Sequence, residues 1–334
     1  MTLTAKDFAS DQETRWCPGC GDYAVLASVQ QLMPELGIPP HRVVFVSGIG
    51  CAGRFSYYMD TYGMHGIHGR APALATGLAT ARDDLSIWVI TGDGDALSIG
   101  GNHLIHALRR NVPLKILMFN NQVYGLTKGQ ASPTSERGTV TKSTPFGAQD
   151  APFNPLALVL GAGATFAART VDRDRRHMTE VLRAAAHHTG TAFVEIYQNC
   201  PVFSDGAFAA LTDKDRAVFN RIPLEHGRPI RFGPEGGHGV ARTEEGDLEI
   251  VTVADVGPDA LVVHDAHRGD PTLAFALARL ADSPSDPTPI GVFRAVQRPM
   301  GIAETGRKLA AARAKLAPDA LDALLHGGDT WTVA

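Results

Sequence analysis

Ile87-Trp-Val-Ile-Thr-Gly-Asp-Gly-Asp95 and Phe119-Asn-Asn-Gln-Val-Tyr-Gly-Leu126 decide how this chain is read. The first is an apolar run that stops at Gly92-Asp93-Gly94. The second closes another apolar run, Leu114 to Phe119, at Asn120-Asn121. Between them Ile99, Leu104, Ile105 and Leu108 recur at helical spacing, which predicts one helix over Ser98 to Asn111. Strand, helix and strand in this length make a parallel βαβ unit with a right-handed crossover. Both strands then point the same way, so Asp93 and Asn121 stand side by side at the edge where open α/β sheets bind ligands. Gly92 and Gly94 permit a tight turn and a close backbone approach, and the amides that start the next helix favour phosphate. A carboxylate, an amide oxygen and a backbone carbonyl are hard donors suited to a Mg²⁺ that also holds a diphosphate. The fold class expected is α/β, a mostly parallel sheet with helices on both faces.

Working outward, Arg42 to Ser47 reads as a buried strand ending in Gly48-Ile-Gly-Cys51. This puts a cysteine on the same edge as Asp93. Further upstream, Trp16-Cys-Pro-Gly-Cys-Gly21 is a tight turn that faces two thiols one way, followed by a helix over Tyr23 to Leu36. Downstream, Asn154 to Leu160 and Arg175 to His188 are predicted as helices, and Gly163 to Ala168 and Thr191 to Tyr197 as strands. The last is followed by Cys200. Cys17, Cys20, Cys51 and Cys200 are all the cysteines of the chain, the number that one tetrahedral metal or one [4Fe–4S] cluster requires. On spacing alone Cys-Pro-Gly-Cys serves a structural zinc knuckle equally well. His68 lies just ahead of a helix that starts at Pro72, within reach of a diphosphate oxygen. Lys128 stands in a long polar loop leaving the cofactor edge, as a candidate contact for an anionic substrate or coenzyme A. His103 and His106 have helical spacing but lack a third ligand.

Composition narrows the field. The chain has 334 residues, 44% of them hydrophobic, and a formal charge of −4. That balance offers no footprint for nucleic acid or for an anionic membrane. No apolar run approaches the ~20 residues that span a bilayer, and Met1 to Ser10 lacks the basic start and apolar centre of a signal peptide. A cytoplasmic protein is expected. Residues 1–204 read as one α/β domain. Residues 205–334 read as an extension packing on a partner subunit, with strands at Leu248 to Val253, Ala260 to His264 and Pro289 to Phe293, a helix at Pro271 to Leu280, and irregular or hairpin structure over Leu224 to Gly239.

Gly-Asp-Gly followed by Asn-Asn after one crossover resembles the thiamine diphosphate (TPP) enzymes. By that likeness Asp93, Asn121 and the carbonyl of Val123 hold Mg²⁺. Cys17-Pro-Gly-Cys20, Gly48-Ile-Gly-Cys51, His68-Gly-Arg, Gly92-Asp-Gly-Asp95, Asn102-His, Asn120-Asn121 through Tyr124-Gly-Leu-Thr and Cys200-Pro together resemble the β subunit of a 2-oxoacid:ferredoxin oxidoreductase. The resemblance runs from about Trp16 to Ser204. It implies that Cys17, Cys20, Cys51 and Cys200 ligate one [4Fe–4S] cluster, and that Ile49, Gly50, Cys51, Ala52, His68, Gly94, Asp95, Gly125 and Leu126 line TPP. The implied reaction is reversible oxidative decarboxylation of a 2-oxoacid with coenzyme A to acyl-CoA and CO₂, with electrons passing through the cluster to ferredoxin. The activating carboxylate would come from an α subunit, in an α2β2 heterotetramer. The two-subunit 2-oxoglutarate type is the member most resembled, with a pyruvate-specific member as the alternative. Two rivals stay open: a non-redox TPP decarboxylase or ligase subunit with a zinc site, and a metal-stapled scaffold without TPP.

Overall fold

A computed structural model describes residues 3–281, 283–317, 319–328 and 331–333. Its centre is an eight-stranded sheet. In chain order the strands are β1 (Val43–Ser47), β2 (Tyr62–His65), β3 (Ser86–Gly92), β4 (Leu114–Asn120), β7 (Phe166–Val171), β8 (Ala192–Tyr197), β9 (Arg221–Leu224) and β13 (Thr288–Ala295). Across the sheet they run β2-β1-β3-β4-β8-β7-β13-β9. All neighbours pair in parallel except β13 with β7. The short strands β5 (Val123–Tyr124) and β6 (Gln130–Ala131) form a hairpin, and β10 (Arg231–Phe232), β11 (His238–Arg242) and β12 (Leu248–Thr252) a separate antiparallel sheet.

Alternate residues of the central strands feed two cores. Val44, Val46, Ile87, Val89, Ile116 and Met118 pack under the helices α2 (Ala71–Ala81), α4 (Gly101–Arg109), α5 (Pro155–Gly161) and α10 (Thr272–Ala278). Phe45, Trp88, Ile90, Leu117, Phe119, Val194 and Ile196 pack on the other face, under α1 (Asp22–Glu35) and α6 (Arg175–His187). Burial on both faces is why these strands read as continuous apolar runs, and the expected α/β class is what the chain forms.

The structure corrects several element readings. The crossover is two helices, because α3 (Asp93–Leu97) begins directly on the strand and the chain breaks at Ser98 before α4. At that break a Cβ on Gly100 would lie 2.3 Å from the Asp95 carbonyl oxygen and 3.0 Å from the Gly69 Cα, so the two glycine segments pass backbone to backbone. The strand expected at Gly163 to Ala168 is shifted to Phe166–Val171. Ala260 to His264 makes only isolated bridges, Ala241 with Leu261 and Pro229 with Val263. Beyond residue 204 the chain adds β9 and β13 to the central sheet. The C-terminal stretch forms the exposed helices α11 (Gly301–Arg313) and α12 (Ala320–Leu325), after the short α7 (Ala209–Thr212), α8 (Lys214–Asn220) and α9 (Val253–Val256).

Across the middle of the sheet a buried ion pair joins Arg169 to Glu195, Nε to Oε2 at 2.8 Å, with side chains 4% and 0% exposed. The guanidinium also lies 5.0 Å from the Tyr197 ring centroid and 5.6 Å from that of Phe293 on β13. Removing one partner strands a buried charge, so Arg169→Met is expected to cost about 3–5 kcal/mol in chemical denaturation, and adding Glu195→Leu should recover part of the loss.

Candidate active site

Parallel strands deliver their C-terminal ends to one edge, and there the segments Ile49–Ala52 after β1, His68 after β2, Asp93–Asp95 after β3, and Asn121 and Val123–Thr127 after β4 line one cleft of about 150 Å³. Every residue expected to line TPP is among them: Ile49, Gly50, Cys51, Ala52, His68, Gly94, Asp95, Gly125 and Leu126. So are Asp93, Asn121 and Val123. Of the two glycines beside Asp93 only Gly94 is sterically required. A Cβ there would lie 2.2 Å from Tyr124 Cε1, whereas one on Gly92 would meet nothing nearer than 3.9 Å.

Asp93 and Asp95 have different jobs. Asp95 is buried, and its carboxylate is taken up by the protein: Oδ1 accepts from the Ile49 amide at 3.1 Å and the Gly69 amide at 2.7 Å and contacts His68 Nδ1 at 2.6 Å, while Oδ2 accepts from Thr91 Oγ1 at 2.6 Å. It shapes the two loops that wall the cleft and engages one histidine nitrogen, leaving His68 Nε2 for the cleft. A Cβ on Gly48 would lie 1.8 Å from Asp95 Oδ2, so glycine is needed beside it. Asp93 is 2% exposed and keeps one oxygen uncommitted to side chains, because Ser132 Oγ and Thr134 Oγ1 both donate to Oδ2. Burial pushes its carboxyl up to about 6, against the pull of those two hydroxyls. A cation at the free oxygen would reverse that shift.

Asn121 is oriented from both sides. Its Nδ2 donates to Gln198 Oε1 at 2.9 Å, and its Oδ1 accepts the Val123 amide at 3.2 Å. The turn between them passes through Gln122 at φ 58°, a left-handed conformation costly for this residue type. The donor set, with one Asp93 oxygen free of side-chain donors, fits a magnesium ion with a diphosphate.

Two of the thiols, Cys51 and Cys200, meet at the cleft wall. A Cβ on Gly125 would lie 3.6 Å from Cys51 Sγ and 3.7 Å from Cys200 Sγ, so both sulfurs flank one glycine of the cleft wall. The Cys17–Cys20 turn is closed by the Cys20 amide donating to the Cys17 carbonyl at 3.1 Å, with Gly19 at φ 81°. It is fixed to the other two segments by Trp16 Nε1 donating to the Cys51 carbonyl at 2.7 Å and the Gly21 amide donating to the Asn199 carbonyl at 3.1 Å. Gln198 Nε2 donates to Cys20 Sγ at 3.4 Å. Burial, then the Asp22 and Cys200 charges, push the Cys51 thiol up to about 11. Burial also raises Cys20, with Asp22 and then Cys51 and Cys200 contributing. Two soft sulfurs, Cys20 and Cys51, that burial keeps from ionising alone suit a site whose metal supplies the positive charge. None is in a disulfide, and among the described residues no three His, Cys, Asp or Glu side chains are gathered as for a single ion.

Lys128 and the two histidines sit elsewhere. Lys128, at φ 84°, lines a neighbouring cavity of about 710 Å³ together with Lys142 and Phe203, beyond the Val123 wall. His103 and His106 lie on α4, away from the cleft lining. Residues the motifs did not single out are Ser132, Thr134, Gln198 and Thr91. The only signal for the first two was the Ser-Pro-Thr turn in the polar loop.

The chain matches the family described as thiamine pyrophosphate enzyme, C-terminal TPP binding domain, over residues 47–196. The sheet edge and its cleft thus define a TPP-binding α/β subunit. The chain is 59% identical to 2-oxoglutarate oxidoreductase subunit KorB of Mycobacterium tuberculosis over 331 residues, 98% of this chain and 88% of that one. It is 45% identical to 2-oxoacid:ferredoxin oxidoreductase subunit beta of Saccharolobus solfataricus over 192 residues, 57% of this chain and 63% of that one. Its fold superimposes with a TM-score of 0.77 and 31% identity on a 2-oxoglutarate:ferredoxin oxidoreductase from Magnetococcus marinus solved with 2-oxoglutarate, coenzyme A and succinyl-CoA bound, covering 98% of this chain and 97% of that one. The chain belongs to the β subunits of the 2-oxoacid:ferredoxin oxidoreductases, TPP-dependent enzymes that work with an α subunit. Among the described residues no helix is long and apolar enough to cross a membrane.

Proposed function

We propose that this β subunit serves a cytoplasmic 2-oxoglutarate:ferredoxin oxidoreductase of α2β2 composition, which converts 2-oxoglutarate and coenzyme A to succinyl-CoA and CO₂ and passes electrons through a [4Fe–4S] cluster to ferredoxin. The observation that carries it is the meeting of two donor sets across one glycine: hard oxygens of Asp93 and Asn121 in the cleft, and the sulfurs of Cys51 and Cys200 behind Gly125. The choice of 2-oxoglutarate over pyruvate follows the names of the Mycobacterium and Magnetococcus proteins.

Bound TPP supplies an electron sink for the bond to the departing carboxylate. The chain's own residues prepare its seat. Asp93, Asn121 and the Val123 carbonyl hold Mg²⁺, and His68, oriented by Asp95, meets a diphosphate oxygen. Cys17, Cys20, Cys51 and Cys200 hold the cluster beside the cleft, which suits electrons leaving one at a time. Lys128 takes an anionic group of substrate or coenzyme A, from its own cavity. The cleft of about 150 Å³ falls below the roughly 300–1,000 Å³ that encloses a drug-sized ligand, which fits a site completed by the α subunit and its activating carboxylate.

The test is one anaerobic purification of the chain with its α partner, followed by an absorption spectrum, iron, sulfide and thiamine analysis, and turnover on 2-oxoglutarate and pyruvate. The expected result is a brown complex with four iron and four sulfide per chain, bound thiamine, and ferredoxin reduction that prefers 2-oxoglutarate. A colourless, thiamine-bearing complex would instead support the zinc-containing rival, and an absence of thiamine the scaffold. Turnover by the isolated chain would refute the need for the α subunit.

A further inference from the structure

We propose that Ser132 and Thr134 are positioning residues of the metal corner: they occupy one oxygen of Asp93 so that the other faces the cation, and they fasten to that corner the loop that carries Lys128. The proposal rests on the TPP reading above. Ser132 and Thr134 are 8% and 2% exposed, and both hydroxyls reach the same Asp93 oxygen, Thr134 at 2.6 Å. No side chain among the described residues donates to Asp93 Oδ1. Thr134 also lies 2.9 Å from Asn120 Oδ1, but a hydroxyl has one proton, and the nearer carboxylate takes it. Asn120 cannot offer its amide nitrogen instead, because Nδ2 is donated to Glu195 Oε1 at 2.8 Å.

The two residues follow β6, on the return arm of the β5–β6 hairpin whose tip holds Lys128. That arm is fixed a second time: Ser135 Oγ accepts the Ser132 amide at 2.8 Å and donates to the Gln122 carbonyl at 2.6 Å. The loop therefore closes on both halves of the metal corner, Asp93 and the Asn121–Val123 turn. Without the hydroxyls the Asp93 side chain would lose both side-chain partners that hold its rotamer, and the return arm would lose its main buried anchor.

The test uses the complete complex with TPP and Mn²⁺ as the paramagnetic stand-in for Mg²⁺, its affinity read by electron paramagnetic resonance. Partners that orient a metal ligand typically contribute ten- to hundredfold in affinity, so Thr134→Val should weaken Mn²⁺ by roughly that factor. Thr134→Ser should keep wild-type affinity, and tryptic cleavage after Lys128 should be faster in the valine variant. A merely packing role would lower the melting temperature and leave the Mn²⁺ Kd unchanged; that result in Thr134→Val overturns the proposal. Should the valine variant fail to fold, Ser132→Ala decides by the same measurement, since it removes a donor to the same oxygen. A wild-type complex that binds no Mn²⁺ with TPP would refute the cofactor reading, an outcome distinct from any difference between variants.

Discussion

Asp93→Asn is expected to leave the complex folded and nearly without bound thiamine, with turnover reduced about a thousandfold. The estimate follows from the chemistry of the corner. A metal ligand of this kind contributes several kcal/mol, and about 4 kcal/mol is a factor of a thousand. Asparagine matches aspartate in shape, so the change tests charge. If its amide oxygen stays with the Ser132 and Thr134 hydroxyls, the NH₂ group points where the cation should be. If the amide flips, the cation meets a neutral oxygen. Thiamine content after gel filtration and Mn²⁺ affinity both report the loss, and a variant that keeps its thiamine would remove Asp93 from the site.

The same substitution should stabilise the chain stripped of metal. Burial holds the Asp93 carboxyl at about 6, above its unfolded value near 3.8. Above pH 6 the unfolded state therefore ionises at less cost, and the apo wild type loses roughly 3 kcal/mol relative to a neutral side chain. That deficit should shrink as pH falls from 7 through 6 and vanish below about 4. Melting curves of apo wild type and variant across that range measure it directly, with the variant the more stable at pH 7.

How much of this was legible depends on what each feature answers to. The central strands announced themselves because Ile87 to Ile90 and Ile116 to Phe119 are buried on both faces. The amphipathic α1 and α6 were as plain, each burying one stripe of apolar residues. The break at Ser98 was not legible, because it answers to Gly69 and Gly100 passing each other, a contact between segments far apart in sequence. β7 was read three residues early, since Gly161 to Ala168 is mostly small residues whose periodicity is weak. β9 was missed because Pro223 argues against a strand, yet β9 is the outermost strand of the sheet, where a residue without an N–H is tolerated. At the site, Asp93 and Asn121 can be found because they sit at strand ends of known direction, Cys51 and Cys200 likewise, and His68 because it precedes the helix that starts at Pro72. Ser132, Thr134 and Gln198 could not, because their positions depend on how an aperiodic loop folds back. Asp95 lines the cleft, but that its oxygens face Ile49, His68, Gly69 and Thr91 is not legible in the sequence.

The cysteines provide the other large effect, and two of them separate the cluster from the TPP seat. Cys200→Ser should lower iron from four per chain towards zero, bleach the visible absorption and stop ferredoxin reduction, while thiamine stays bound. Cys51→Ser should do all of that and also weaken thiamine. The difference follows from position. Both sulfurs flank Gly125, but Cys51 also lines the cleft, whereas Cys200 stands only behind it. Serine is close to cysteine in size, so packing against Gly125 is kept, but a hard hydroxyl is a poor substitute for a soft thiolate on iron. Without the cluster Cys20 and Cys51, which burial keeps protonated, have nothing to ionise them. Iron, sulfide and thiamine analysis of the two variants, purified anaerobically with the α partner, decides the matter. Full iron in Cys200→Ser would show that this thiol is not a ligand, and equal thiamine in both variants would show that Cys51 has no part in the cofactor's seat.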